Sequence, residues 1–103
     1  MFTLEFTEPA DSQLKSIEAD KSNPGLTKQV KKALGYLQTN PRHQSLKTHH
    51  IDSIPNPINP KEKIFEAYAQ NNTPSAYRIF FAYGSVKKTK EKIITILAIT
   101  PHP

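Results

Sequence analysis

The stretch KIITILAIT at residues 92–100 decides the fold class of this chain, because it is apolar on both faces. Such a strand is expected in the interior of a sheet, packed beneath helices. Two further runs rich in aromatic residues precede it, IFEAYA at residues 64–69 and YRIFFAY at residues 77–83. Turn-forming residues lie between the runs, at residues 71–75 and 84–90. The pattern predicts three consecutive strands of a mostly antiparallel sheet.

Upstream of these strands the sequence predicts one more strand and two helices. Residues 2–6, FTLEF, alternate apolar and polar side chains, as a half-buried strand does. Thr7 can cap a short helix that follows, and Asn23 can cap a second helix with proline in its first turn. The second helix ends before Pro41, because the residue preceding a proline disfavours the α region. The apolar positions of the two helices are Ala10, Leu14 and Ile17, then Leu26, Val30, Ala33, Leu34 and Leu37.

Between the second helix and the last three strands lies a proline-containing segment. Residues 45–51 allow a short irregular strand, and the prolines at 55, 57 and 60 predict a loop after it. The expected order is β-α-α-β-β-β, in which a helical hairpin packs on one face of the sheet. The sequence therefore predicts a single α+β domain over residues 1–103.

The composition excludes several classes of function. The chain has no cysteine, which excludes a disulfide scaffold, a thiolate zinc site and a cysteine nucleophile. No apolar run approaches the ~18 residues that a transmembrane helix needs, and no signal peptide is evident, so we expect a cytoplasmic protein without membrane contact. His49 and His50 would point to opposite faces of an extended segment, and no acidic or histidine residues at ligand spacing support them. We expect no metal, no cofactor and no small-molecule substrate.

Charge is distributed unevenly along the chain. The formal net charge is +5, yet residues 1–20 hold five acidic residues and one lysine. Residues 21–51 hold six lysine and arginine residues, three histidines and no acid. A basic field on one part of a small domain favours a polyanionic partner, either nucleic acid or an acidic protein.

The predicted order and several residues resemble the RelE/ParE toxin superfamily of bacterial toxin–antitoxin systems. The resemblance rests on Tyr77-Arg78-Ile79 in one strand, Glu66 in another, the lysine-bearing helix that ends at Asn40-Pro41, and the final hydrophobic strand. It implies a RelE-like mRNA endonuclease that acts on the ribosome, or a ParE-like inhibitor of DNA gyrase. An inactive relative that binds an antitoxin or nucleic acid is a third alternative. Toxins of either kind are neutralised by a cognate antitoxin.

The resemblance also implies a set of catalytic candidates. Metal-free RNA cleavage needs an acid, a base and cations that hold the phosphate. Arg78 corresponds to the strand arginine that contacts the scissile phosphate in RelE-like RNases, and His102 lies where some of them carry a catalytic group. Glu66 and His49 are further acid or base candidates. A cross-strand ion pair between Arg78 and Glu66 and a solvated terminal His102 are the structural alternatives.

Contacts to the phosphates of mRNA and ribosomal RNA would come from the basic residues of the second helix and the segment after it. A solvated helix face is the alternative. The candidates are Lys28, Lys31, Lys32, Arg42, His43 and Lys47. The chain departs from the best-known RelE proteins, which carry several lysines and arginines in the strand that here holds Glu66 and Tyr68. The departure leaves open whether an activity uses histidine, is weak or is absent.

Overall fold

The computed structural model describes residues 1–71, 75–84 and 92–101. Two helices are followed by four strands of a sheet whose first strand precedes them, so the predicted α+β class is confirmed. The elements are β1 (Thr3–Phe6), α1 (Glu8–Ala19), α2 (Pro24–Thr39), a single 3-10 turn (Gln44–Leu46), β2 (His49–Ile51), β3 (Ile64–Tyr68), β4 (Tyr77–Tyr83) and β5 (Ile93–Pro101).

The five strands form one mixed sheet in the order β1-β5-β4-β3-β2. β1 runs parallel to β5, and the other three pairings are antiparallel. β5 lies inside the sheet between β1 and β4, as its two apolar faces predict. The segment at residues 45–51 begins with the 3-10 turn and narrows to the three-residue edge strand β2. The sheet thus has one strand more than the order β-α-α-β-β-β counts.

Both helices begin where their caps predict. The Thr7 side chain accepts a hydrogen bond from the Ala10 backbone N–H at 3.3 Å, and its hydroxyl donates to the Leu97 carbonyl at 3.0 Å. Thr7 therefore caps α1 and ties the helix to β5. Asn23 accepts from the Leu26 N–H at 3.2 Å and caps α2 in the same way.

The hydrophobic core lies between the helices and one face of the sheet. Val30 and Leu37 of α2 are fully buried with Ile79 and Phe81 of β4 and Ile96 of β5. Burial of each such side chain stabilises the fold by roughly 1.5–3 kcal/mol. Because successive strand residues point to opposite faces, the side chains of Glu66 and Arg78 lie on the face away from the helices.

A proline-containing loop, residues 52–63, lies against part of that second face. Asn56 is 2% exposed and organises the loop, since its Oδ1 accepts the N–H groups of Ile58 and Asn59. Pro57 lines a cavity together with Leu97 of β5. Neither α1 nor α2 is long and apolar enough to cross a lipid bilayer, and the described residues contain no other α-helix.

Candidate functional site

Strand pairing brings three predicted site residues together on one face of the sheet. His49 lies opposite Glu66 in the β2–β3 pair, and Tyr68 lies opposite Arg78 in the β3–β4 pair. Directly opposed residues share a face, as do residues two apart in one strand. The side chains of His49, Glu66, Tyr68 and Arg78 therefore converge, and we call these four residues the carboxylate cluster.

A single carboxylate oxygen organises the carboxylate cluster. Glu66 Oε1 lies 3.0 Å from Arg78 Nη1 and 2.9 Å from His49 Nε2. The Glu66 side chain is 9% exposed and that of Arg78 is 15% exposed, whereas that of His49 is 48% exposed. The two donors lie within about 6 Å of each other because they share one acceptor. The arrangement places a histidine with solvent access beside a largely buried arginine.

Both ring nitrogens of His49 face oxygen atoms that only accept hydrogen bonds. Nε2 faces the Glu66 carboxylate, and Nδ1 lies 3.0 Å from the Lys47 carbonyl oxygen. A neutral imidazole carries one N–H, so it can donate to one of these oxygens, and the doubly protonated ring can donate to both. The geometry fixes the orientation of the ring, and the protonation state of the ring decides which of the two oxygens accepts a hydrogen bond from it.

Tyr68 packs against both Arg78 and His49. The Arg78 guanidinium lies 4.2 Å from the centre of the Tyr68 ring, and the His49 ring meets the same ring edge-on at 6.0 Å. Arg78 Nε is buried without a hydrogen-bond partner in the described part of the chain. A buried donor without a hydrogen-bond partner lowers the free energy of unfolding by about 1–3 kcal/mol. Such groups are rare in native proteins, and a catalytic role is one explanation for them.

The predicted catalytic residues are therefore only partly assembled in the described residues. Arg78, Glu66 and His49 meet, and the ion pair between Arg78 and Glu66 foreseen as the structural alternative is present. His102 lies outside the described residues. Strand alternation places Tyr68 on the same face as Glu66, but the sequence alone assigns it no role. The signal for a role is Arg78, which lies opposite Tyr68 in the strand register and holds its guanidinium over the Tyr68 ring.

The predicted phosphate-contact residues divide into two groups. Lys28, Lys31 and Lys32 lie on the exposed side of α2, where Lys31 pairs with Glu18 of α1 at 3.0 Å. Arg42, His43 and Lys47 follow α2 and line a cavity of about 390 Å³ on the side of β3 opposite Glu66. Lys47 connects the second group to the carboxylate cluster through its carbonyl oxygen.

Histidine and carboxylate groups in the described ranges occur as pairs. His49 pairs with Glu66, and His50 lies 3.6 Å from Asp52, which also contacts Lys63. Within residues 1–71, 75–84 and 92–101, no three histidine, aspartate or glutamate side chains group so as to hold a metal ion.

Helical hairpin, mixed sheet and strand order together define the fold of RelE/YoeB-type toxins, so the resemblance is confirmed at the level of the fold. Solved structures that match include the YoeB dimer from Staphylococcus aureus, at 12% sequence identity and a TM-score of 0.60, over 99% of this chain and 98% of that one. YafQ from E. coli strain BL21(DE3) matches at 12% identity and a TM-score of 0.58, over 99% and 94% of the two chains.

A copper-bound mutant toxin from Helicobacter pylori matches at 11% identity and a TM-score of 0.58, over 99% of this chain and 96% of that one. No protein-family profile matches this chain. No curated protein sequence matches it either. At these identities the likeness concerns the fold, and the chemistry has to be argued from the residues of this chain.

Proposed function

We propose that this protein is the toxin of a toxin–antitoxin pair and cleaves mRNA on the ribosome in the cytoplasm. Its partners are then a cognate antitoxin, mRNA and ribosomal RNA. One observation carries the proposal: a single carboxylate oxygen holds a solvent-accessible histidine and an arginine within about 6 Å of each other. The full-length fold match to toxins supports it.

The proposed catalytic roles follow from the chemistry of Arg78 and His49. The RNA 2′-oxygen attacks the adjacent phosphorus, the bond to the 5′-oxygen breaks, and a 2′,3′-cyclic phosphate forms with a free 5′-hydroxyl. Arg78 stabilises the charge on the phosphate through N–H groups that Glu66 does not use. His49 transfers a proton to or from the reacting oxygens. Glu66 orients His49 rather than acting as the base, because its Oε1 already accepts from Arg78 and lies at hydrogen-bond distance from His49.

His102 stays a candidate for the second proton-transfer group, because one histidine cannot hold and release a proton at the same moment. Lys28, Lys31, Lys32, Arg42, His43 and Lys47 are proposed contacts to RNA phosphates. Such contacts set affinity and orientation without reading the sequence.

A second candidate function is favoured by the state of Arg78. Its side chain is 15% exposed, and its guanidinium is bound by Glu66 and covered by Tyr68. A phosphate has to compete with that carboxylate for the same cation. The arrangement favours a relative that binds an antitoxin or nucleic acid without cleavage, or a ParE-like inhibitor of gyrase, if the ion pair does not open.

Primer extension on a reporter mRNA in a cell-free translation mixture tests the proposal. We expect new 5′ ends that require ribosomes and that fall by about a hundredfold or more in His49→Ala and Arg78→Ala. His50→Ala is the matched control, since His50 is the neighbouring histidine, pairs with Asp52 and lies outside the carboxylate cluster. His102→Ala tests the second proton-transfer group.

Two results would decide against the nuclease. Cleavage that persists in both His49→Ala and Arg78→Ala would remove the carboxylate cluster from the chemistry. Unimpaired translation without new 5′ ends would favour the second candidate, and a gyrase supercoiling assay would then separate a gyrase inhibitor from an inactive relative.

A further inference from the structure

The cavity lined by Arg42, His43 and Lys47 lies on the helix side of the sheet, near β2. Its volume is about 390 Å³, and its lining includes Arg42, His43 and Lys47 from the segment after α2. The aromatic side chains of Phe65 and Tyr83 complete it. We call it the aromatic cavity. Phe65 immediately precedes Glu66 in β3, so the aromatic cavity and the carboxylate cluster lie on opposite faces of the same strand.

The aromatic side of this cavity is held rigidly. The centre of the Tyr83 ring lies 5.2 Å from the centre of the Phe65 ring and 5.7 Å from that of the Phe81 ring. The ring centre of Phe2, near the N-terminus, also lies 5.7 Å from it. Tyr83 is nevertheless 38% exposed. Three neighbouring rings thus fix a tyrosine that keeps part of its surface open, which is how a stacking platform for a planar ligand is built.

The basic side of the cavity is also fixed in place. The His43 ring stacks on Tyr36 at 3.9 Å, and its Nδ1 accepts a hydrogen bond from the Ser45 backbone N–H at 3.1 Å. In the neutral ring the proton is then on Nε2, which is left as a donor. Arg42 lies close enough to Tyr83 for its charge to oppose the rise that burial causes in the pKa of the Tyr83 hydroxyl.

Lys47, on the basic side of the aromatic cavity, has a strained backbone conformation. Its φ of 48° lies in the left-handed region, which disfavours residues with a side chain. Such strain in a residue other than glycine often accompanies function. The Lys47 side chain lines the aromatic cavity, and its carbonyl oxygen faces His49 Nδ1. One residue therefore contributes to both faces of the sheet.

We propose that the aromatic cavity binds one nucleotide of single-stranded RNA, with the base stacked on Tyr83 and the phosphate held by Arg42 and Lys47. Cations beside an exposed aromatic ring match a base linked to a phosphate. An acidic peptide would satisfy the cations but would not use the ring. The inference rests on the proposed function for its ligand class, and it names a second contact for the same RNA.

The two sites lie near the same edge of the sheet. β2 is the three-residue edge strand, and it pairs with β3, whose two faces carry Phe65 of the aromatic cavity and Glu66 of the carboxylate cluster. An RNA chain that passes around this edge has one nucleotide at Tyr83 and a neighbouring phosphate near His49. The aromatic cavity then positions the RNA and takes no part in the proton transfer.

Binding of a short fluorescein-labelled single-stranded RNA, followed by fluorescence anisotropy without ribosomes, tests the inference. We expect Tyr83→Leu, which keeps apolar bulk but removes the ring, to weaken binding by about tenfold to a hundredfold. Tyr83→Phe keeps the ring and should bind within about twofold of the wild type. Thermal melting of each variant verifies that the fold is retained.

The charged rim is tested through the salt dependence of binding. Arg42→Ala should weaken binding and lower the slope of log affinity against log salt by about 0.7, the value for one phosphate contact on a single strand. Lys21→Ala removes the same charge from the exposed turn between the helices and should leave the slope unchanged.

Three results would overturn the inference. They are no binding of the single-stranded RNA, equal binding by Tyr83→Leu and wild type, and tighter binding of a poly-glutamate peptide that depends on the same residues. The last result would assign the cavity to an acidic protein segment. Because binding is measured apart from cleavage, RNA binding that depends on Tyr83 without any cleavage would overturn the nuclease and leave the inference standing.

Discussion

The two faces of strands β3 and β4 are built from the same backbone but are held by different forces. On the helix side, Ile79 and Phe81 are fully buried among other apolar residues. On the other side, Glu66, Tyr68 and Arg78 are held by two hydrogen bonds and a ring contact. Hydrophobic burial is non-directional and spread over many atoms, whereas the polar contacts depend on one carboxylate. The comparison indicates that stability resides mainly on the first face, whereas the second face holds the residues to which we assign the proposed chemistry.

The largest expected effect comes from opening the helix-side face. Ile79→Ala should lower the free energy of unfolding by about 2–5 kcal/mol, because it removes buried methyl groups and leaves a cavity. Urea unfolding measures the change. Ile54→Ala is the control, since Ile54 is 46% exposed, and it should change stability by less than about 0.5 kcal/mol. A loss below about 1 kcal/mol in Ile79→Ala would contradict the division between the faces.

The next effect comes from the carboxylate cluster. Glu66→Ala should cost about 1–3 kcal/mol of stability, because it leaves the largely buried Arg78 without its counter-charge. In the double variant with Arg78→Leu the cost should be clearly smaller than the sum of the two single costs. A double-mutant cycle in urea measures this coupling. Additive costs would show that the pair is not energetically coupled.

The sequence predicted the contact of Glu66 with Arg78 better than its contact with His49. The pairing of Arg78 with Glu66 was foreseen, because alternation and two adjacent antiparallel strands fix which residues can meet. The contact between His49 and Glu66 was not, since it depends on the register of β2 against β3. A slip of one residue would place His50 there instead, and nothing local in HHI decides between them.

The aromatic cavity was hidden from sequence reasoning for a related reason. From the sequence alone Tyr83 is expected to be a packing residue, because aromatic residues near strand ends usually pack. Its ring does pack against Phe2, Phe65 and Phe81, yet it keeps an exposed surface beside Arg42. Phe2, Arg42 and Tyr83 come from three distant parts of the chain, so only the tertiary fold places them together. The assignment of the site residues stays a prediction.

A smaller effect is expected at the residue shared by both faces. Lys47→Gly should raise the free energy of unfolding by about 1 kcal/mol, because glycine adopts a positive φ without strain. It should also weaken RNA binding through the lost charge. Lys47→Ala is the control, which loses the charge but keeps the strain. If the two variants are equally stable, the left-handed backbone at residue 47 carries no cost.

The smallest expected effect concerns the pKa of Tyr83. Burial raises this pKa above its ordinary value of 10.0, and Arg42 opposes the rise. Arg42→Ala should therefore raise the pKa of Tyr83 further. An ultraviolet titration of tyrosinate measures it, and Tyr83→Phe identifies which transition belongs to this residue. An unchanged pKa in Arg42→Ala would place Arg42 away from the ring.

The sign of the linked change in stability follows from the direction of this shift. The unfolded chain ionises Tyr83 at lower pH than the folded chain does, so folding holds the proton more tightly. The contribution of Tyr83 is fully present below its ordinary pKa and is lost as the pH rises through the folded value. Stability in strongly alkaline solution should therefore fall less steeply for Tyr83→Phe.

The parallel pairing of β1 with β5 has a consequence for folding during synthesis of the protein. Residues 3–6 find their partners only at residues 93–96, and β5 is the last of the five strands to be synthesised. At roughly 5–20 residues per second, β1 waits for several seconds before its neighbour exists. Until β5 is made, β1 has no neighbour and β4 lacks one of its two neighbours in the sheet. A protein proposed to attack ribosomes therefore cannot complete its sheet until β5 has emerged from the ribosome that makes it.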